Sequence, residues 1–342
     1  MKTIGILLGS LAGAGAEKSL LTLATALAQR GNKVHLVLLK DVLDFTPPKS
    51  ITITLLKGEN RAAELHDFTA SITFDLFVCS RVELYWHIQC SNKWGFVCIT
   101  PTAWIDTPRW RPLKLYRAKK KLRKYLDKNL IAVSKGIADD LVENIGVEPQ
   151  RVRVIYNAYD FTEITTMATE PASLPQEEYI LCVGALKQRK GQAVLLRAFA
   201  RIANKHIKLL LLGKGEMEQR LRQLAHRLGI SDRVVFAGWV PNPYPYIANA
   251  KLCVLASTAE GLPRVVVESL LLGIPVVSTD CRSGPNELLT GELANFLIPV
   301  DDYKTMARKI DNALDNYPTI SKKSMQKFDS LQTAIAYESL GS

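Results

Sequence analysis

Paired cysteines are missing from this sequence. Its six cysteines (Cys79, Cys90, Cys98, Cys182, Cys253 and Cys281) form no C-x-x-C and mostly sit inside apolar runs. That excludes a disulfide frame or a zinc ribbon and predicts buried thiols in a reducing compartment. Long hydrophobic stretches are missing too: no run of 18 apolar residues exists, so no membrane-crossing helix is expected. His35, His66, His87, His206 and His226 show no metal-ligand spacing, and no D-x-D stands at a strand end, so no metal or other cofactor is expected. Acid is in short supply: 33 Asp and Glu stand against 44 Lys and Arg, a net charge of +11. Such an excess points to an anionic partner: nucleotide phosphates, nucleic acid or a membrane surface. With no zinc finger, no RNP-like aromatic motif and no repeat, nucleic acid is not the expected one.

What is present is a chain of 342 residues, enough for two ordinary cores. Met1-Lys2 followed by T-I-G-I-L-L-G-S-L-A-G-A-G-A imitates a secretory signal with an A-x-A-like cleavage site. Lys18 to Arg30, however, form an amphipathic helix ended by Gly31, and a strand follows at once at Val34 to Leu39. Cleavage would remove the first strand of a βαβ unit, so the segment is read as strand, glycine loop and helix.

Thirteen apolar runs of this kind recur along the chain, separated by helical stretches. Seven fall in the first half: 4–8, 34–39, 51–55, 76–79, 96–99, 130–133 and 152–155. Six fall in the second: 180–183, 209–212, 234–236, 252–255, 275–277 and 296–298. Near-continuous apolar strands alternating with helices predict parallel sheets covered on both faces. The fold class is therefore α/β, with two Rossmann-like doubly wound domains. Expected boundaries are 1–160, a linker at 161–178 around Pro171 and Pro175, 179–320, and a C-terminal helix within 321–342 that returns to the first domain. Ligands of such sheets bind beyond the carboxyl ends of the strands, so the expected site is the cleft between two facing domains.

The most informative stretch is Ser257 to Leu289. A short helix, about Pro263 to Leu272, is stopped by Gly273 and Pro275. Glu260 stands just before it and Glu268 about two turns into it. Amides at a helix start carry partial positive charge, and carboxylates placed there and further along can receive the hydroxyls of a sugar and of a ribose. Glycine loops accompany several strand ends: Gly9 to Ser19 after the first, Gly213-Lys214-Gly215 after the ninth, and Ser283-Gly284-Pro285 later. Gly9 to Ser19 fits neither a Walker A loop, since Glu17 occupies the glycine position before Lys18-Ser19, nor a dinucleotide fingerprint, since Lys18 replaces its third glycine.

The run E-G-L-P-R-V-V-V-E-S-L-L-L-G-I-P-V-V-S-T-D (Glu260 to Asp280) resembles the signature of the retaining nucleotide-sugar glycosyltransferases of GT-B fold, family 4 (group 1). The resemblance extends through V-G-A-L-K-Q-R-K-G (Val183 to Gly191), L-L-G-K-G-E (Leu211 to Glu216) and F-A-G-W-V (Phe236 to Val240), and covers about Tyr179 to Ile298. In the first half it is looser, limited to Gly13-Ala14-Gly15-Ala16-Glu17 and to Ile131 through Leu141. The T-D-C-x-S-G-P-x-E-like run resembles members that build bacterial surface polysaccharides and glycolipids.

The resemblance implies a UDP-hexose or UDP-N-acetylhexosamine donor, a lipid-linked or polysaccharide acceptor, and front-face transfer with retention and without a metal. Glu260 would orient the sugar and Glu268 the ribose, while Arg189 and Lys190 would hold the diphosphate. Gly13, Gly15, Gly213, Gly238, Trp239, Val240, Gly261, Leu262 and Pro263 would line the donor site. Two departures stand out. Ala185 replaces the arginine of the usual V-G-R-L, and the loop Thr100-Pro101-Thr102-Ala103-Trp104 lacks the usual histidine, with Asp106 nearby as a substitute. A GT-B sugar-nucleotide epimerase and an inactive nucleotide-sugar-binding subunit are the alternatives.

The excess charge concentrates between Arg109 and Lys128, with ten basic residues against one acid. Leu115, Ala118, Leu122, Tyr125 and Leu126 fall on one helical face, while Arg117, Lys119, Lys120, Lys121, Arg123 and Lys124 occupy the rest. Trp104 and Trp110 precede them. This predicts peripheral attachment to an anionic membrane, on its cytoplasmic side.

Overall fold

The computed structural model describes residues 1–12, 15–104 and 120–340. Gly13, Asp106, Trp110, Arg117 and Lys119 therefore lie outside the described residues. The chain divides into two units, 1–160 with 326–342, and 161–325.

The first unit is built on a seven-stranded sheet. Its strands are β1 (Thr3–Leu8), β2 (Lys33–Leu38), β3 (Ile51–Leu55), β4 (Leu76–Cys79), β5 (Lys93–Val97), β6 (Leu130–Ala132) and β7 (Val152–Val154). They are ordered β3-β2-β1-β4-β5-β6-β7, every pair parallel. β1 takes β2 on one side (Ile4 beside Val34) and β4 on the other (Ile4 beside Leu76), so the winding reverses there. The second unit carries β8 (Tyr179–Val183), β9 (Lys208–Leu212), β10 (Val234–Gly238), β11 (Leu252–Leu255), β12 (Val276–Thr279) and β13 (Leu297–Ile298). Their order is β10-β9-β8-β11-β12-β13, again all parallel, with the reversal between β8 and β11. These are two doubly wound sheets of the GT-B type.

Burial separates inner strands from edges. β4, β11 and β12 are buried along their whole length, as sheets covered on both faces demand. β3, β7 and β10 stand at edges, and there Ile53, Val154 and Val235 are exposed. All thirteen apolar runs form strands, most within one or two residues of the expected bounds. β5 departs furthest: it begins at Lys93 instead of Phe96 and ends at Val97. Its polar start is recruited by its neighbours, because Asn92 O receives Phe77 N and Gly95 N donates to Asn129 O. Ladder bonds from both sides decide the register there, not hydrophobicity.

The helix Ser330–Ser339 belongs to the first unit. The Glu338 carboxylate receives the Arg30 guanidinium (2.9 Å) and the Asn32 amide (2.7 Å), and Lys2 Nζ donates to its carbonyl (2.7 Å). In the second unit the helix Phe161–Met167 is held by Asn242, whose amide donates to Met167 O at 2.8 Å.

Candidate functional site

Within the second unit, the loops at the carboxyl ends of β8, β9 and β11 meet at the point where the winding reverses, the place where doubly wound sheets bind ligands. Glycine makes their close approach feasible. A Cβ on Gly191 (φ +65°) would lie 1.9 Å from Ala256 O, and one on Gly213 would lie 2.1 Å from Gly184 O. Main-chain bonds lock the same loops: Gly184 N to Leu212 O, Leu186 N to Lys214 O, and Thr258 N to Arg189 O, each 2.8–2.9 Å.

This framework brings Lys190 to Glu260, 70 residues away in sequence. Lys190 Nζ donates to Glu260 Oε1 at 2.5 Å, and Ser257 Oγ donates to the same oxygen at 2.6 Å. The two side chains are 17% and 9% exposed. Charged groups this far from water require mutual pairing and additional hydrogen bonds, and both are present. Ser257 is itself fixed, its carbonyl receiving Thr279 Oγ1 at 2.6 Å. Arg189 lies on the adjoining 3₁₀ turn Gln188–Lys190, its guanidinium reaching Ala259 O at 3.4 Å. The thiol of Cys281 is pushed up to about 12, first by burial and then by the Glu260 carboxylate, so it stays protonated beside the ion pair.

Glu268 sits in a second cluster on the helix Arg264–Leu271, which starts one residue later than expected. Arg264, one turn earlier, pairs with its Oε1 at 3.1 Å, and the Tyr244 hydroxyl donates to the same oxygen at 3.5 Å. The Tyr244 phenol is raised by burial and by Glu268, so it remains a donor. Gly261, Leu262 and Pro263 are buried between the two glutamates. They pack against Gly284, where a Cβ would sit 2.7 Å from Gly261 O. Gly213 is buried, while Trp239 after β10, between Gly238 and Val240, is 49% exposed.

The remaining predicted residues lie in the first unit. Gly15 opens the helix Gly15–Gln29. Of the basic segment, Lys120, Lys121, Arg123 and Lys124 are exposed around the buried Tyr125. All six cysteines are free thiols, five of them buried. Sequence reasoning missed Ser257, Thr279, Tyr244 and Arg264. The i,i+4 spacing of Arg264 to Glu268 was a readable signal; for Tyr244 and Thr279 no local signal exists.

The chain is similar to known proteins. Residues 177–316 match the family model of the glycosyl transferases group 1. Over 98% of both chains the protein is 27% identical to the Campylobacter jejuni N-acetylgalactosamine-N,N'-diacetylbacillosaminyl-diphospho-undecaprenol 4-alpha-N-acetylgalactosaminyltransferase. It is 31% identical to the lipopolysaccharide 1,6-galactosyltransferase of Salmonella typhimurium, over 49% of this chain and 48% of that one. Its fold is similar to that of Anabaena Alr3699/HepE, solved with UDP and glucose, at a TM-score of 0.76, 18% identity and 99% coverage of both chains. WaaG, a glycosyltransferase involved in lipopolysaccharide biosynthesis, gives a TM-score of 0.67 at 16% identity, with 99% and 97% coverage. Two doubly wound sheets and these likenesses give the chain the GT-B fold, and its second unit, over residues 177–316, matches the glycosyl transferases group 1.

Proposed function

We propose that this glycosyltransferase moves a hexose or N-acetylhexosamine from a UDP donor, with retention and without a metal, to a lipid-linked glycan at the cytoplasmic face of a membrane. The observation that carries it is the buried Lys190–Glu260–Ser257 constellation at the reversal point of the second sheet. A carboxylate held there by a cation and a hydroxyl is preorganised to receive sugar hydroxyls without rearranging. Lys190 and Arg189, on the adjoining turn, supply the positive charge that a departing diphosphate requires. In this reading Glu268, further along the helix, receives the ribose hydroxyls, and the exposed Trp239 offers a face for the base. Because the phosphate oxygen released on the donor face can take the acceptor's proton, no strong enzymic base is needed.

The Campylobacter relative's name supports an N-acetylated sugar, an α-linked product and a diphospholipid acceptor. Relatives and family model are transferases, which disfavours the epimerase reading. Exposed Lys120, Lys121, Arg123 and Lys124 support attachment to anionic lipid, each cation contributing about 1 kcal/mol near such a surface. The test is a screen of radiolabelled UDP-sugars against polyprenyl-diphosphate-linked saccharides, with and without EDTA. Transfer that persists in EDTA and yields the α-anomer is expected; no transfer from any UDP-sugar, or complete loss in EDTA, overturns the reading.

A further inference from the structure

At the amino ends of β5 and β6, an aromatic pair of the first unit meets a group of lysines. Lys93 is the first residue of β5, and Asn129 directly precedes β6. The 3₁₀ turn Val82–His87 is pinned to both: the Tyr85 hydroxyl donates to Lys93 O at 2.9 Å and accepts from Asn129 N at 3.2 Å. Tyr85 is buried, and its ring meets that of Trp86 edge-on, at 5.0 Å and 85°. Trp86 is nevertheless 56% exposed. Tryptophan is highly buried on average, so an indole braced from behind and open to water calls for a reason.

Two ammonium groups flank this indole, Lys128 Nζ at 5.1 Å and Lys93 Nζ at 5.5 Å from the ring centre. Lys93 donates to Ile88 O at 2.7 Å. Lys128 is only 5% exposed, yet its ammonium makes no hydrogen bond or ion pair among the described residues. Burial lowers its pKa, an effect only partly offset by the carboxylate of the exposed Asp127. The aromatic faces supply a cation–π attraction, but a cation held this far from water also requires hydrogen-bond acceptors. Glu83, in the same turn as Trp86, is exposed and stands 3.9 Å from Lys124.

This surface therefore presents a flat apolar face, a cation lacking an acceptor, and an accessible carboxylate. A sugar ring matches the face, because its polarised C–H groups are attracted to the electron-rich side of an indole. An anionic substituent matches the cation, and hydroxyls match Glu83. A lipid bilayer matches less well. Trp86 is the one exposed large hydrophobic residue of its turn, since Val82 and Tyr85 are buried, and Glu83 would face the anionic headgroups.

We propose that the Trp86–Lys128 surface binds an acidic sugar residue of a glycan chain. The pyranose stacks on the indole, its carboxylate or phosphate meets Lys128, and Glu83 receives a hydroxyl. Doubly wound sheets take their ligands beyond the carboxyl ends of their strands, so a contact at the amino ends is additional to the donor site. It does not depend on the donor chemistry proposed above.

The experiment is calorimetry on the full-length protein at about 0.15 M salt, with tetragalacturonate, maltotetraose, galacturonate and UDP as probes. Tetragalacturonate should bind, and the neutral maltotetraose and the single galacturonate should each bind about tenfold or more weakly. Trp86→Ala, which alters no charge, and Lys128→Met should each weaken tetragalacturonate by about tenfold or more, the loss of the stacking face or of one charge-assisted hydrogen bond. Trp86→Phe should retain most of the affinity. UDP affinity and thermal melting should be unchanged in Trp86→Ala. Combined glutamine substitution of Lys120, Lys121 and Arg123 removes charge but keeps the platform, so it should weaken tetragalacturonate less than Trp86→Ala does. A wild type that ignores tetragalacturonate overturns the inference, as does wild-type affinity in Trp86→Ala or equal affinity for maltotetraose. Equal affinity for galacturonate overturns the assignment to a glycan chain. Loss of anionic-vesicle binding in Trp86→Ala, with tetragalacturonate binding intact, would make the surface a membrane contact and overturn it too.

Discussion

At the scale of single residues, the Lys190–Glu260 pair must be judged on two accounts at once. Its 2.5 Å bond joins two largely buried side chains, so removing either partner leaves an uncompensated charge. That typically costs about 3–5 kcal/mol. Lys190→Ala and Glu260→Ala should each lower both stability and transfer, whereas Lys190→Met combined with Glu260→Gln should regain most of the stability and none of the transfer. Denaturant unfolding and steady-state transfer measured on the same samples separate the two effects. A double variant that regains transfer would show the pair to be structural only. Glu268 differs, because its loss strands Arg264 and Tyr244 but no donor-sugar contact. Glu268→Ala should weaken UDP by about tenfold to a hundredfold, with a smaller fall in kcat, since charged hydrogen bonds contribute about 1.5–3 kcal/mol.

At the scale of elements, the site is a set of strand-end loops pressed together through glycines. Gly191 and Gly273 both have positive φ (+65° and +77°), yet a Cβ at Gly191 meets Ala256 O at 1.9 Å and one at Gly273 meets nothing. Gly273→Ala should therefore cost only the conformational strain, about 1–2 kcal/mol. Gly191→Ala adds displacement of the backbone that carries Ser257, for about 3 kcal/mol or more in total, together with a loss of transfer. Equal melting temperatures for the two variants would refute the loop-on-loop packing. The helix Arg264–Leu271 is the other decisive element: seven of its eight residues are buried, which anchors Glu268 rigidly.

At the scale of the whole molecule, charge and pH are the levers. Attachment through the basic segment should appear as co-sedimentation with vesicles containing anionic lipid, weakened by salt because the Debye length shortens from about 10 Å at 0.1 M to about 3 Å at 1 M. Changing Lys120, Lys121, Arg123 and Lys124 to glutamine should abolish it; undiminished binding in that variant would place the contact elsewhere. Stability should fall in acid through His35. Its ring packs edge-on against Phe74 at 5.5 Å, its Nδ1 is buried without a partner, and burial, then Lys33, lowers its pKa below the ordinary 6.5. With the folded value depressed, its contribution is whole above about pH 6.5 and is lost as pH falls from there through the folded pKa. Replacing it by phenylalanine should flatten the stability difference between about pH 7.5 and pH 5.5 in urea unfolding; an unchanged slope would assign the titration to other groups.

The sequence by itself determined both sheets, because thirteen uninterrupted apolar runs can be satisfied only by strands covered on both faces. It also showed where the two glutamates and the cations after β8 stand, at a loop, a helix and a strand end, while the roles expected of them came from the resemblance to a family. It misplaced β5, where the polar residues Asn92 and Lys93 belong to the ladder because β4 bonds to them at Phe77. Only the tertiary structure decided that Lys190 pairs with Glu260, that Ser257 and Thr279 brace that carboxylate, and that Tyr244 reaches Glu268. Apart from Ser257 and Glu260, three positions apart, those contacts join residues 22 to 70 positions apart. Their geometry follows from which loops the parallel order sets side by side and from glycines that let backbones touch, neither of which leaves a periodic trace in the chain.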